Sequence, residues 1–162
     1  MLFKTHLMFG IFLITLLYTF FPSIITSHNI YSQIIFCVIL LTSTSLPDID
    51  TKESKISRKI PILPTIISIF TIHRGIIHSV YPVIILSAVL YQYSSFYTFA
   101  FIIGYSSHLI LDALTIQGIN FLHPFTQFHV KGFIKTGSIF ELILFISLIA
   151  ISAVLALSTR HL

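Results

Sequence analysis

The sequence predicts an all-α fold: a polytopic membrane helical bundle of about five transmembrane helices plus one short interfacial or re-entrant segment, folded as a single domain over residues 1–162. Three observations lead there. The chain is 56% hydrophobic and only 9% charged, where a soluble domain carries about 25% charged residues. The apolar residues fall in runs separated by short polar stretches. The basic residues gather on alternate connections, as the positive-inside rule requires of a membrane protein.

The first run, Leu7 to Phe21, follows Lys4 and His6 and stops at Pro22. No small-x-small cleavage site follows it, so it reads as a retained helix and not a secretory signal. The second, Ile30 to Leu46, ends in the motif L-P-D-I-D. At 1.5 Å per residue such runs reach roughly 22–26 Å, short of a ~30 Å core, so flanking polar residues must extend the helices. Residues 51–59 (T-K-E-S-K-I-S-R-K) form the charge-dense loop. Ile60 to Ile72 is apolar but short and broken by Pro61 and Pro64, which favours an interfacial or re-entrant segment. The spans Val80–Tyr93 and Phe96–Leu114 are joined by Ser94-Ser95, and residues 117–137 read as a polar loop holding His123, Pro124, His129, Lys131 and Lys135. Ser138 to Leu157 is the last span, with Glu141 in its first turn.

Charge sets the orientation. With the N-terminus in the cytoplasm, Lys4, Lys52, Lys55, Arg58, Lys59, Arg74, Lys131 and Lys135 lie inside and Arg160 alone lies outside. So few cations serve topology and not nucleic acid. The lone Cys37 excludes a disulfide framework and a thiolate metal site.

The same orientation sorts the chemistry. Of the titratable groups, His6, Asp48, Asp50, His73, His78, His108, His123, His129, Asp112 and Glu141 fall at the inner face, and His28 and His161 outside. His108 and Asp112, four apart, project from one helical face. A carboxylate and an imidazole at membrane depth are costly unless a partner or a metal compensates. The pair H-R-G-I-I-H-S, residues 73–79, sets two imidazoles around a glycine with Arg74 between them. Each group has a plainer reading: aspartates 48 and 50 as helix caps, Asp112 as the partner of a core histidine, Glu141 as a carboxylate favoured by a helix N-terminus. Their convergence on one face argues for a site. Asp48 and Asp50 would face opposite ways in extended chain, so one ion need not take both. The candidate metal ligands are His6, Asp48, Asp50, His73, His78, His108, Asp112, His123 and Glu141, and the candidate catalytic residues are Arg74 and Asp50. Imidazole and carboxylate without thiolate suit zinc, and also fit manganese or iron. This many donors could hold two or three ions. No H-E-x-x-H, G-x-S-x-G or P-loop occurs.

The blocks T-H at 5–6, L-P-D-I-D at 46–50, H-R-G-x-x-H-S at 73–79, G-Y-x-S-H-x-x-x-D at 104–112, T-x-x-G at 115–118, P-F at 124–125 and K-T-G-S-x-x-E at 135–141 resemble those of the bacterial LexA-binding, inner-membrane-associated metal-dependent hydrolases. The likeness runs through nearly the whole chain, departing at Ile77, where the family has threonine. That family is similar in turn to the helical zinc-dependent phospholipase C and P1 nuclease group, which uses a trinuclear zinc cluster. The resemblance implies ligands at His6, Asp48 or Asp50, His73 or His78, His108 with Asp112, His123 or His129, and Glu141.

The expected function is metal-dependent hydrolysis of a phosphoester in a membrane lipid or lipid-linked substrate, by water activated on a divalent metal, at the cytoplasmic face of the bacterial inner membrane. Arg74 suits an anion because its planar fork binds such groups bidentately. The alternative is a non-catalytic metal-binding membrane protein, a regulator or transporter. Transport is disfavoured because Leu7–Phe21 and Val80–Tyr93 contain no ionisable acid or base of the kind that lines a mid-membrane path.

Overall fold

A computed structural model describes residues 1–50, 74–126 and 128–158, with the backbone alone at Ile49, Asp50, Arg74 and Gly75. The 51–59 loop, the Ile60–Ile72 segment, His73, Arg160 and His161 lie outside the described residues.

The described chain is mostly helical. Helix α1 (Phe3–Phe20) takes in Lys4, Thr5 and His6, the extension that the length of its apolar run required. Pro22 ends it and opens α2 (Pro22–Thr26) at the first helical position, where a missing N–H leaves no bond unmade. Asn29 caps α3 (Ile30–Ser43), its side-chain oxygen accepting from the Ser32 N–H at 2.9 Å. This helix stops three residues short of Leu46. Leu46–Asp50 is a 3-10 turn and not the extended chain that the sequence suggested. The fixed φ of Pro47 suits such a turn, and the Asp48 N–H donates to the Ser45 carbonyl at 3.2 Å.

The single turn α4 (Arg74–Ile77) leads through His78 into α5 (Val80–Tyr91). Ser79 makes that junction: its hydroxyl donates to the Ile76 carbonyl at 2.6 Å and accepts from the Tyr81 N–H at 3.4 Å. Helix α6 (Ser95–Ala113) is capped by Ser94, and α7 (Ile139–Ser158) is the last. Between them the expected polar loop forms a small hairpin, β1 (Ile119–Asn120) antiparallel to β2 (His129–Val130), with Ile119 opposite Val130.

Helix α1 packs chiefly against α7, and α3 and α5 against α6. Helices α1, α5 and α7 begin at the end of the bundle where α3 and α6 finish: Leu2 meets Glu141, Thr44 meets His108, and Val80 meets Phe121. Two apolar cores stack along the bundle, one around Leu17, Ile25, Phe36, Leu40 and Ala100, the other around Phe101, Tyr105, Leu109 and Ile119. Gly104 lets α3 and α6 touch. A Cβ there would stand 2.4 Å from the Leu40 carbonyl oxygen and 2.8 Å from Ser43 Cβ, the close backbone approach that small residues provide between membrane helices.

Among the described residues, α1 and α7 are long and apolar enough to cross a membrane. Their apolar windows are only 22% and 17% buried, so their side chains face outward, where a soluble core helix would hide them. Of the five predicted spans, these two meet that measure. Helices α3 and α5 are shorter, at 14 and 12 residues, and α6 carries His108 and Asp112 in its last turns.

Candidate metal centre

At the end of the bundle where α1 begins, four side chains from three separate segments converge. Asp48 comes from the 3-10 turn, His78 from the α4–α5 junction, and His108 and Asp112 from one face of α6. One donor atom from each lies within 4.8 Å of every other. His108 Nε2 is 3.3 Å from Asp112 Oδ2 and 3.7 Å from Asp48 Oδ1, and His78 Nε2 is 3.8 Å and 4.0 Å from the same two oxygens.

His108 is fully buried, and its Nδ1 lies 2.8 Å from the Thr44 carbonyl. A carbonyl can only accept, so Nδ1 carries a proton, and Nε2 is turned to the carboxylates, where a neutral ring presents its lone pair. The Gly104 contact makes this possible. It lets the last turn of α3 descend on α6 one turn before His108, which brings Thr44 within reach. Lone pair facing carboxylate is repulsive until a proton or a cation lies between them. His108 Nε2 makes no aligned hydrogen bond among the described residues, and the donor set of two imidazoles and two carboxylates suits a divalent ion of the zinc, manganese or iron type. The residues fit a metal.

His6 joins from α1. It is 1% exposed, stacks on His108 with ring centroids 3.9 Å apart, and brings Nε2 to 3.2 Å from Asp112 Oδ1. Asp112 thus turns one oxygen to His6 and the other to His78 and His108. The Met1 ammonium also contacts Asp112 Oδ1, a cation already beside that oxygen. Tyr105 steadies the other flank, its hydroxyl donating to the Ile77 carbonyl at 2.7 Å beside His78.

Glu141, His123 and His129 lie outside this group. Glu141 is buried, but its carboxylate is committed. Oε1 accepts from the Leu2 N–H at 2.7 Å and from the Thr5 hydroxyl at 2.8 Å, and Oε2 accepts from the Gly137 N–H at 2.6 Å. It ties the starts of α1 and α7 together, which places His6. His129 spends both ring nitrogens on the hairpin, 3.0 Å from Asn120 Oδ1 and 3.0 Å from the Gln117 carbonyl. His123 lies in the turn after β1, outside the four-residue group. His28 stacks on Phe96 at the opposite end of the bundle. Asp50 closes the 3-10 turn and Arg74 opens α4, with their side chains outside the described residues, as is His73. Sequence reasoning missed the Thr44 carbonyl, since any residue can supply one. The signal that could have found it is the glycine four residues before His108.

No solved structure matches the chain. It is 34% identical over 144 residues to the uncharacterized protein YvsG of Bacillus subtilis (strain 168), covering 85% of this chain and 83% of that protein. The family profile of the YdjM inner membrane proteins matches residues 1–161. With apolar helices that face outward and a buried histidine–carboxylate group at one end of the bundle, this chain belongs to the YdjM inner membrane protein family.

Proposed function

We propose that this chain is a metal-dependent hydrolase of the inner membrane, acting on a phosphoester in a lipid or lipid-linked substrate. The observation that carries the reading is the meeting of Asp48, His78, His108 and Asp112, with the His108 tautomer set by Thr44 so that its free lone pair faces the carboxylates. These four would hold a first divalent ion. Zinc is the expected metal, and a second ion between His6 and the outer oxygen of Asp112 would have to displace the Met1 ammonium. Bound there, a divalent ion supplies Lewis acidity and lowers the pKa of water toward about 7. The chain's own part is to hold the donors in place. Thr44 fixes one imidazole, Tyr105 steadies the turn beside another, and Glu141 anchors the helix that bears His6. Arg74 opens the helix turn that leads to His78, where its guanidinium would bind a phosphoryl oxygen and offset the negative charge that develops in the transition state.

The five-span reading is supported by helix direction. Three of the five longer helices start at the site end and two finish there, as a chain crossing five times requires. Lys4, Arg74, Lys131 and Lys135 all belong to segments at that end, which argues for a cytoplasmic site. In a Cys37→Ala background, His28→Cys should react with an impermeant thiol reagent in intact cells and Thr126→Cys should not. The reverse pattern would put the site on the outer face.

The decisive experiment joins two measurements on detergent-purified protein: elemental analysis, and release of phosphate or phosphorylated headgroup from membrane lipids. Wild type should carry divalent metal and release phosphate. Arg74→Lys should keep the metal and lose activity, because an ammonium cannot reproduce the guanidinium fork. Metal without turnover on any phosphoester would leave a metal-binding regulator. Protein with no affinity for divalent metal would end both readings.

A further inference from the structure

The hairpin between α6 and α7 has two faces of opposite character. Ile119 and Ile134, at 5% and 7% exposure, fill the space against α6, whereas Phe125, Phe128 and Phe133 are 77%, 57% and 74% exposed. The inner face is therefore complete without the three phenyl rings. In water such a trio would be a standing liability. We propose that this hairpin is an interfacial membrane element, laying Phe125, Phe128 and Phe133 into the boundary between headgroups and acyl chains of the leaflet at the site end. The proposal rests on the membrane location of the chain and is independent of any metal or catalysis.

Three features of the molecule favour lipid as the occupant. The first is position. The Gly132 N–H donates to the Thr115 carbonyl at 2.9 Å and the Ile134 N–H to the Leu114 carbonyl at 3.0 Å, which clamps the hairpin base to the two residues that follow α6. Helix α7, apolar enough to cross a membrane, starts five residues after Ile134. The hairpin is thus held at the height where a spanning helix enters the bilayer. The second is continuity: Ile116 before it and Ile139 and Phe140 after it are 53%, 68% and 61% exposed, so the phenyl rings extend an apolar surface that already faces lipid. The third is charge. Lys131 and Lys135 bracket Phe133, and an apolar face flanked by lysine suits an interface with phosphate headgroups. The chain has no tryptophan, so phenylalanine takes the interfacial position that tryptophan often fills.

The absence of tryptophan also gives a clean probe. Phe125→Trp, Phe128→Trp and Phe133→Trp each introduce one fluorophore at an exposed ring, and Ile149→Trp puts one at the lipid-facing middle of α7. Each protein is reconstituted into phosphatidylethanolamine–phosphatidylglycerol vesicles whose lipids carry bromine either near the carbonyl end or deep in the acyl chain. The three hairpin probes should emit to the blue of free tryptophan and lose more emission to shallow bromine than to deep, with Ile149→Trp showing the opposite preference. Red, unquenched emission from the hairpin beside a quenched Ile149→Trp would overturn the proposal and leave the membrane reading intact. Blue emission without bromine quenching would also overturn it, assigning the face to a protein partner or a second copy. Quenching at neither place would remove the membrane reading along with it.

Discussion

His108→Ala protein, loaded at limiting zinc and freed of excess, is expected to hold at least ~10-fold less metal than wild type, with Asp112→Asn close behind. Removal even of a partner that orients a ligand costs about 10- to 100-fold in affinity, and on the proposed reading these two residues are ligands themselves. His108 Nδ1 is 2.8 Å from the Thr44 carbonyl, which holds the ring with Nε2 toward the carboxylates of Asp48 and Asp112. Asp112 reaches three histidines, His6 through one oxygen and His78 and His108 through the other. Asparagine keeps the shape of Asp112 but replaces an anionic donor with a neutral amide, so loss of metal from a folded Asp112→Asn protein would report charge and not packing. His28→Ala is the control, because its ring stacks on Phe96 at the far end. Equal metal loss in the control would dissolve the site.

Glu141→Ala is expected to give the largest loss of stability, about 2–4 kcal/mol, from three donors that lose their acceptor. The Thr5 hydroxyl is fully buried and Glu141 is its acceptor, so removing the carboxylate leaves it without that partner. The helix start is loosened as well, since Lys4 lies over the Phe145 ring at 5.3 Å and both follow the same clamp. Glu141→Gln keeps one acceptor oxygen and should lose less. The measurement is thermal unfolding in detergent, followed by metal content of the folded fraction. A folded Glu141→Ala that is as stable as wild type yet binds no metal would make Glu141 a ligand and end its role as a clamp.

The helices were legible because their apolar runs are continuous and two of their stops are chemical: Pro22 and the Ser94-Ser95 connection each mark a boundary that the chain obeys. Legible too was the His108–Asp112 pair, whose spacing alone fixes a shared face. Asp48 was named, but its local geometry was not, since a proline that forbids a regular helix still permits a 3-10 turn. Glu141 drew attention as a buried acid. Its commitment to Leu2, Thr5 and Gly137 depends on α1 lying beside α7, a long-range packing that periodicity cannot encode. The hairpin was hidden by its composition: counted together, its lysines, histidines and phenylalanines average to a polar loop, and only the folded chain separates the buried Ile119 and Ile134 from the exposed rings.

The pairing of α1 with α7 has a consequence for how the protein is made. The ribosome emits the Thr5 hydroxyl first and its acceptor, Glu141, 136 residues later. During that interval α1 lacks the neighbour that secures its polar end, while α3 and α6 can already meet at Gly104. Asp48, His78, His108 and Asp112 all precede Glu141 in the chain, whose contacts to Leu2 and Thr5 hold the helix start that bears His6. Of the helices described, α7 follows all the others in the chain and holds the start of α1, which precedes them.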